Sequence, residues 1–144
     1  MAPADFLQLD RQLCFALHAA SRAMTQAYQP VLAPLGLTYP QYLVMLALWE
    51  RSPRTVRDLG ETLLLEPATL SPLLKRLEAS GLLTRRRNAG DERTLDVQLT
   101  AAGRAMRVEA EKVPAKIVSR LGMQVSELER IRDDLTTLIS AATR

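Results

Sequence analysis

From Phe6 to Tyr28, apolar residues return at steps of three and four: Phe6, Leu9, Leu13, Ala16, Leu17, Ala20, Met24 and Ala27. That is the helical period, and it predicts one long helix with a broad apolar stripe. Pro30, Pro34, Gly36 and Pro40 then break the pattern into short turns. Thr38-Tyr39-Pro40-Gln41 has capping-box spacing, so a second helix is predicted from about Pro40 to Arg51 through Leu43, Met45, Leu46 and Leu48, with Tyr39 at its mouth. Thr55 is placed to cap a short helix over Val56 to Leu64, with Val56, Leu59 and Leu63 on one face. Another opens at Glu66-Pro67 and repeats Leu70, Leu73, Leu74 and Leu77 up to the stop at Gly81. Pro72 inside that stretch leaves two readings open, a helix starting near Ser71 or a tolerated kink, because an interior proline costs a helix ~3 kcal/mol.

The period then changes from helical to alternating. Leu82 to Arg87, a polar tip at Asn88-Ala89-Gly90-Asp91-Glu92, and a return run in which Leu95, Val97 and Leu99 alternate with Thr94, Asp96 and Gln98 read as a β-hairpin. Two short helices followed by a hairpin make a winged helix-turn-helix. Thr100 is expected to cap a helix of about 20 residues ending near Gly122, kinked at Pro114. Ser126-Glu127-Leu128-Glu129 resembles a second capping box, before a last helix lined by Leu128, Ile131, Leu135, Leu138 and Ile139. The expected fold is mainly α with a small β-hairpin: a winged helix-turn-helix at 37–100, flanked by an N-terminal helix in 1–36 and C-terminal helices in 101–144. The flanking apolar stripes exceed what one small core needs, so a homodimer is the expected and more economical outcome, with packing inside one chain as the alternative.

Charge sharpens this picture. Between Lys75 and Arg93 stand Lys75, Arg76, Arg85, Arg86, Arg87 and Arg93 against Glu78, Asp91 and Glu92, which accounts for the whole net charge of +3 in this 144-residue chain. One stretch carries the imbalance, as a surface facing a polyanion would. In a helix-turn-helix the base edges are met by the first turns of the second helix, here Thr69 and Ser71, while Lys75 and Arg76 lie at the groove edge against phosphates. Arg86 and Arg87 extend the basic surface along the hairpin. Arg93 at the tip suits a minor groove, and Asp91 either orients that guanidinium or simply stabilises the turn. The partner expected is double-stranded DNA.

The chain has a single cysteine, Cys14, so an intramolecular disulfide is impossible and any redox role needs an oxyacid or a second molecule. One His and one Cys are too few soft ligands for structural zinc, and no cofactor is expected. No apolar run approaches the roughly 20 residues of a membrane span and no secretory signal opens the chain, so a cytoplasmic protein is expected. Tyr42 and Trp49 read as core. A predicted helix starting at Phe6 sets Cys14 well past the first turn, where the helix dipole adds little.

GLLTRRRNAGDERTLDVQLTAAG resembles the wing of the MarR-type repressors, with their DxR segment at Asp91-Glu92-Arg93, and Leu59-Gly60-Glu61 through Glu78 resembles their helix-turn-helix. The likeness covers nearly the whole chain and implies a symmetric dimer on a pseudo-palindromic operator. Glu66-Pro67 departs from the small or capping pair expected there, which puts the operator preference apart from that of relatives. Within the family, Cys14 in LDRQLCFALHAASRAM with Tyr28 and Tyr39 is similar to the signature of the branch that senses organic hydroperoxides. The single cysteine matches its one-cysteine type, in which a small external thiol completes the oxidation. Phenol hydroxyls donating to sulfur favour its charged form without adding a buried charge. Cys14 and Tyr28 are 14 residues apart, or ~21 Å along a helix, so the resemblance implies that the phenols come from the partner subunit.

Three functions follow for test. One is a repressor that leaves DNA when hydroperoxides oxidise Cys14. Another is a repressor of the same fold released by a small phenolic or lipophilic ligand, with Cys14 inert. The third, a thiol enzyme using Cys14 and His18, lacks a visible orienting group or oxyanion site, so no enzyme is expected.

Overall fold

The computed structural model describes residues 6–144. The first long helix, α1, is Leu13–Leu32 and starts seven residues later than the apolar period predicts. A 3-10 turn at Leu9–Arg11 precedes it, and Gln12 is extended (φ −85°, ψ 121°). Gln12 turns its side-chain amide back onto the carbonyls of Phe6 and Gln8, which holds the chain out of helical geometry up to that point. Helix α2 is Tyr39–Glu50, opened by the expected capping box: the Gln41 amide nitrogen donates to Thr38 Oγ1, and the Thr38 amide to Gln41 Oε1.

A two-residue strand that no periodicity announces, β1 at Arg54–Thr55, leads into α3 at Val56–Leu63, capped by Thr55. Helix α4, Pro67–Ala79, runs unbroken through Pro72. The bond Pro72 cannot donate would go to the Ala68 carbonyl, and both residues are exposed, so water can serve it. Strands β2 (Leu83–Arg87) and β3 (Leu95–Leu99) pair antiparallel with Leu83 opposite Leu99 and Arg87 opposite Leu95. β1 adds to the free side of β3, so the wing is a three-stranded sheet of order β1-β3-β2.

The single helix expected after Thr100 is two, α5 at Ala101–Ala110 and α6 at Val113–Leu121. Pro114 falls in the first turn of α6, where a proline starts a helix rather than bends one. The last helix, α7, is Val125–Ala142, and its capping box is Gln124 with Glu127, two residues earlier than the serine-based pair suggests.

One core holds these elements together: Leu32 of α1, Val44, Met45 and Leu48 of α2, Leu59 of α3, Leu70, Leu74 and Leu77 of α4, Leu83 of β2 and Val97 of β3. Helix α7 buries no residue in the chain, and Phe6, Leu9, Leu13, Phe15, Ile131 and Ile139 are all exposed. Among the described residues, no single helix is long and apolar enough to cross a membrane.

Candidate DNA interface and thiol site

The face of α4 opposite its leucine stripe carries the residues expected to meet DNA. Thr69, Ser71, Lys75 and Arg76 are all exposed, whereas Leu70, Leu73, Leu74 and Leu77 point into the core. The stripe therefore fixes the rotation of the helix and leaves this polar edge outward. Glu66 stands at the N-cap without a side-chain cap bond, followed by Pro67 at the first helical position.

On the wing, Arg86, Arg87, Asp91 and Arg93 are exposed too. Arg85 is not available in the same way. Its Nη2 donates to Glu78 Oε1 at 3.0 Å and its backbone amide to Glu78 Oε2 at 3.0 Å, which ties β2 to the end of α4. That guanidinium and amide hold the Glu78 carboxyl below its usual range. The tip of the hairpin is built by side chains acting on backbone. Asn88 Oδ1 accepts from the amides of Gly90 and Asp91, and its Nδ2 donates to both oxygens of Asp96. Asp91 takes the Arg93 amide at 3.0 Å and the Thr94 hydroxyl at 3.2 Å, with the Arg93 Nε at a longer 3.5 Å. Both expectations for Asp91 thus have contacts, and the turn bonds are the shorter ones. The side chain of Arg93 is 94% exposed at the extremity of the wing.

The thiol and the phenols lie at opposite ends of α1. Cys14 is the second residue of the helix and is exposed. This corrects the position inferred from periodicity: the sulfur sits within the first turn of α1 and not well past it. Tyr28, near the other end, packs its ring 4.8 Å from that of Tyr39 and 5.8 Å from that of Tyr42. Burial pushes all three phenols above their ordinary pKa, and for Tyr28 and Tyr42 neighbouring tyrosines add to the rise. They remain protonated donors at neutral pH. Tyr42, taken as core, is indeed buried and also closes this aromatic cluster. Trp49, also taken as core, is only half-buried and donates its indole N–H to the Gly103 carbonyl at 2.8 Å.

The comparisons with known proteins agree with this architecture. The family model described as the transcriptional regulator SarA/Rot matches residues 26–109. The organic hydroperoxide resistance transcriptional regulator of Bacillus subtilis is 42% identical over 135 residues, covering 94% of this chain and 92% of that protein. The chain belongs to the MarR-type winged-helix transcriptional regulators. Within them it falls in the organic hydroperoxide resistance branch, and it is a regulator rather than an enzyme.

Solved structures place this MarR-type chain beside AbfR, a Staphylococcus epidermidis protein. Reduced AbfR bound to DNA is 35% identical, with a TM-score of 0.80 over 99% of this chain and 100% of that one. Overoxidised AbfR bound to DNA gives 0.79, also at 35% identity, over 98% and 99%.

Sequence reasoning missed Arg54, which is 7% exposed, and the inward turn of Arg85. The available signals were nearby acidic residues, Asp58 four positions after Arg54 and Glu78 seven positions before Arg85 at the end of α4.

Proposed function

We propose that the protein is a homodimeric repressor that grips a pseudo-palindromic operator while Cys14 is reduced and lets go once an organic hydroperoxide has oxidised it. The observation that carries this reading is the separation of sulfur from phenols. Cys14 is exposed in the first turn of α1, and the Tyr28–Tyr39 pair lies ~21 Å along the same helix. One protomer cannot bring them together. A two-fold axis can, and the open apolar faces of α7 and of the segment before α1 are where a second copy would bury surface.

In the reaction, the Cys14 thiolate attacks the peroxide O–O bond. A sulfur–oxygen bond forms, the O–O bond breaks, and the departing alkoxide takes a proton and leaves as the alcohol. Sulfur is oxidised to the sulfenic acid and the peroxide is reduced. A small external thiol then displaces the hydroxyl as water, leaving a mixed disulfide. The phenols of Tyr28 and Tyr39 from the partner subunit donate hydrogen bonds to the sulfur. The relative's name, organic hydroperoxide resistance, supports this choice over release by a lipophilic ligand. That AbfR is found on DNA in an overoxidised form supports assigning release to the mixed disulfide rather than to the higher oxyacids.

Operator binding measured before and after cumene hydroperoxide, with a low-mass thiol present, tests the whole scheme. Unchanged affinity alongside full oxidation of Cys14 by mass spectrometry would leave the ligand-released repressor standing. Tyr28→Phe and Tyr39→Phe are expected to slow Cys14 oxidation several-fold, since each removes one donor worth about 1 kcal/mol; stopped-flow rates matching the wild type would dismiss the phenols.

DNA is held by Thr69, Ser71, Lys75 and Arg76 on α4 and by Arg86, Arg87 and Arg93 on the wing, with Asp91 setting the tip. Arg93→Ala is expected to weaken operator binding by about 1–3 kcal/mol. A dissociation constant within error of the wild type would remove Arg93 from the interface.

A further inference from the structure

We propose that Arg54 is the positioning residue that makes the phenol-bearing helix α2 and the DNA-reading helices move as one body; this rests on oxidation-driven release as read above. Arg54 sits in β1 with its side chain only 5% exposed, at the place where α2, α3 and the wing converge. Its guanidinium divides its donors among three groups. Nη1 donates to the Ala47 carbonyl of α2 at 3.1 Å, Nε to Asp58 Oδ2 at 2.6 Å, and Nη2 to Thr62 Oγ1 at 2.6 Å. Asp58 and Thr62 both belong to α3. The Arg54 backbone pairs meanwhile with Val97 of β3, so the same residue joins the wing.

The electrostatics make this a directed link rather than a packing accident. Ala47 lies in the last turn of α2, at the negative end of the helix dipole, and its oxygen accepts from the Arg51 amide as well as from Arg54. Asp58 is in the first turn of α3 and receives a second guanidinium, from Arg51 at 2.9 Å. The hydrogen bond from Arg54, with the charges of Arg54 and Arg51, holds the Asp58 carboxyl below its ordinary range. A fixed planar fork between a helix C-terminus and a carboxylate resists rotation of either helix relative to the other.

Helix α2 runs from Tyr39, in the phenol cluster, to Glu50, beside this junction. Twelve residues of helix span ~18 Å, so a shift at the sulfur-facing end reaches Arg54 through a rod. Through Arg54 it is passed to α3, which packs on α4, and to the wing. Helix α2 also packs on α3 and α4 through the shared core, so the fork adds a directional polar link to that packing, and without it a shift of α2 is passed to the DNA-reading surface less completely.

A residue that merely stabilises the fold would weaken reduced and oxidised binding alike. A coupling residue changes their ratio, and that ratio separates the two roles. The test uses the full-length protein as wild type, Arg54→Lys and Thr62→Val, with operator affinity measured by fluorescence anisotropy before and after cumene hydroperoxide plus a low-mass thiol. Wild type is expected to lose affinity within the roughly 5–150-fold range of allosteric couplings, and both variants are expected to lose at least about fivefold less than it does. Thr62→Val keeps shape and surface position, so it remains readable if Arg54→Lys fails to fold. Variants that release as fully as the wild type overturn the coupling while leaving oxidation-driven release intact. A wild type that holds its operator after complete Cys14 oxidation overturns that release, and the coupling with it.

Discussion

A Cys14→Ser protein is expected to keep its operator through a hydroperoxide treatment that releases the wild type. The substitution changes one atom, sulfur to oxygen, at an exposed position in the first turn of α1. It therefore leaves α2, α4 and the wing as they are, and reduced-state affinity should match the wild type. What it removes is chemistry. A serine hydroxyl is not ionised at neutral pH, cannot be oxidised by two electrons to an acid, and cannot form a disulfide with a small thiol. The loss of affinity that hydroperoxide causes, about 5–150-fold if it lies in the usual range of coupling energies, should fall to none. Anisotropy titrations of both proteins with and without cumene hydroperoxide and thiol give the four numbers needed. If the serine protein also lets go, the oxidant acts elsewhere and Cys14 is not the sensor.

The cysteine could be found from sequence, but its setting could not. Apolar spacing from Phe6 onward continues a helical period that the backbone does not follow, because Gln12 spends its amide on carbonyls of the preceding turn. Periodicity reports which face is apolar and says little about where hydrogen bonding begins. Caps were more legible: Thr38, Thr55 and Thr100 start α2, α3 and α5 as their types and spacing predict, because a hydroxyl accepting a free amide is a local event. The strand β1 was hidden because two residues carry no alternation, and it exists through its long-range pairing with β3. Arg54 was hidden for the same reason. A basic residue in a turn reads as solvated, and only the convergence of Ala47, Asp58 and Thr62 around it makes burial affordable. On the surface proposed to face DNA the reverse held. The leucine stripe of α4 decides what faces inward, so Thr69, Ser71, Lys75 and Arg76 had to lie outward once the helix was recognised.

Gly103→Ala is expected to be the most damaging small substitution for stability. On propensity alone the change should help, since alanine in a helix interior is favoured over glycine by roughly 1 kcal/mol. Packing reverses the sign. Gly103 is the third residue of α5, and an added Cβ would be driven into the carbonyl of Leu82 and would also lie only 3.1 Å from Leu99 Cδ2. The obstacle is backbone and cannot rotate aside. Nor can it retreat, because the Leu82 carbonyl accepts the Thr100 amide at 3.1 Å, and the Thr100 hydroxyl donates to the Gly81 carbonyl at 2.6 Å while accepting the Gly103 amide. On the far side the Trp49 indole is bonded to the Gly103 carbonyl, so moving α5 outward breaks its tie to α2. Relief must come from separating α5 from the base of the wing, at a net cost of about 3 kcal/mol after the propensity gain. For a chain of this size that corresponds to a melting temperature lower by roughly 6–12 °C, compared at equal protein concentration because assembly would shift both values. Thermal unfolding followed by circular dichroism decides the matter: an unchanged or higher melting temperature would mean that α5 and the wing are not held together as tightly as these bonds require.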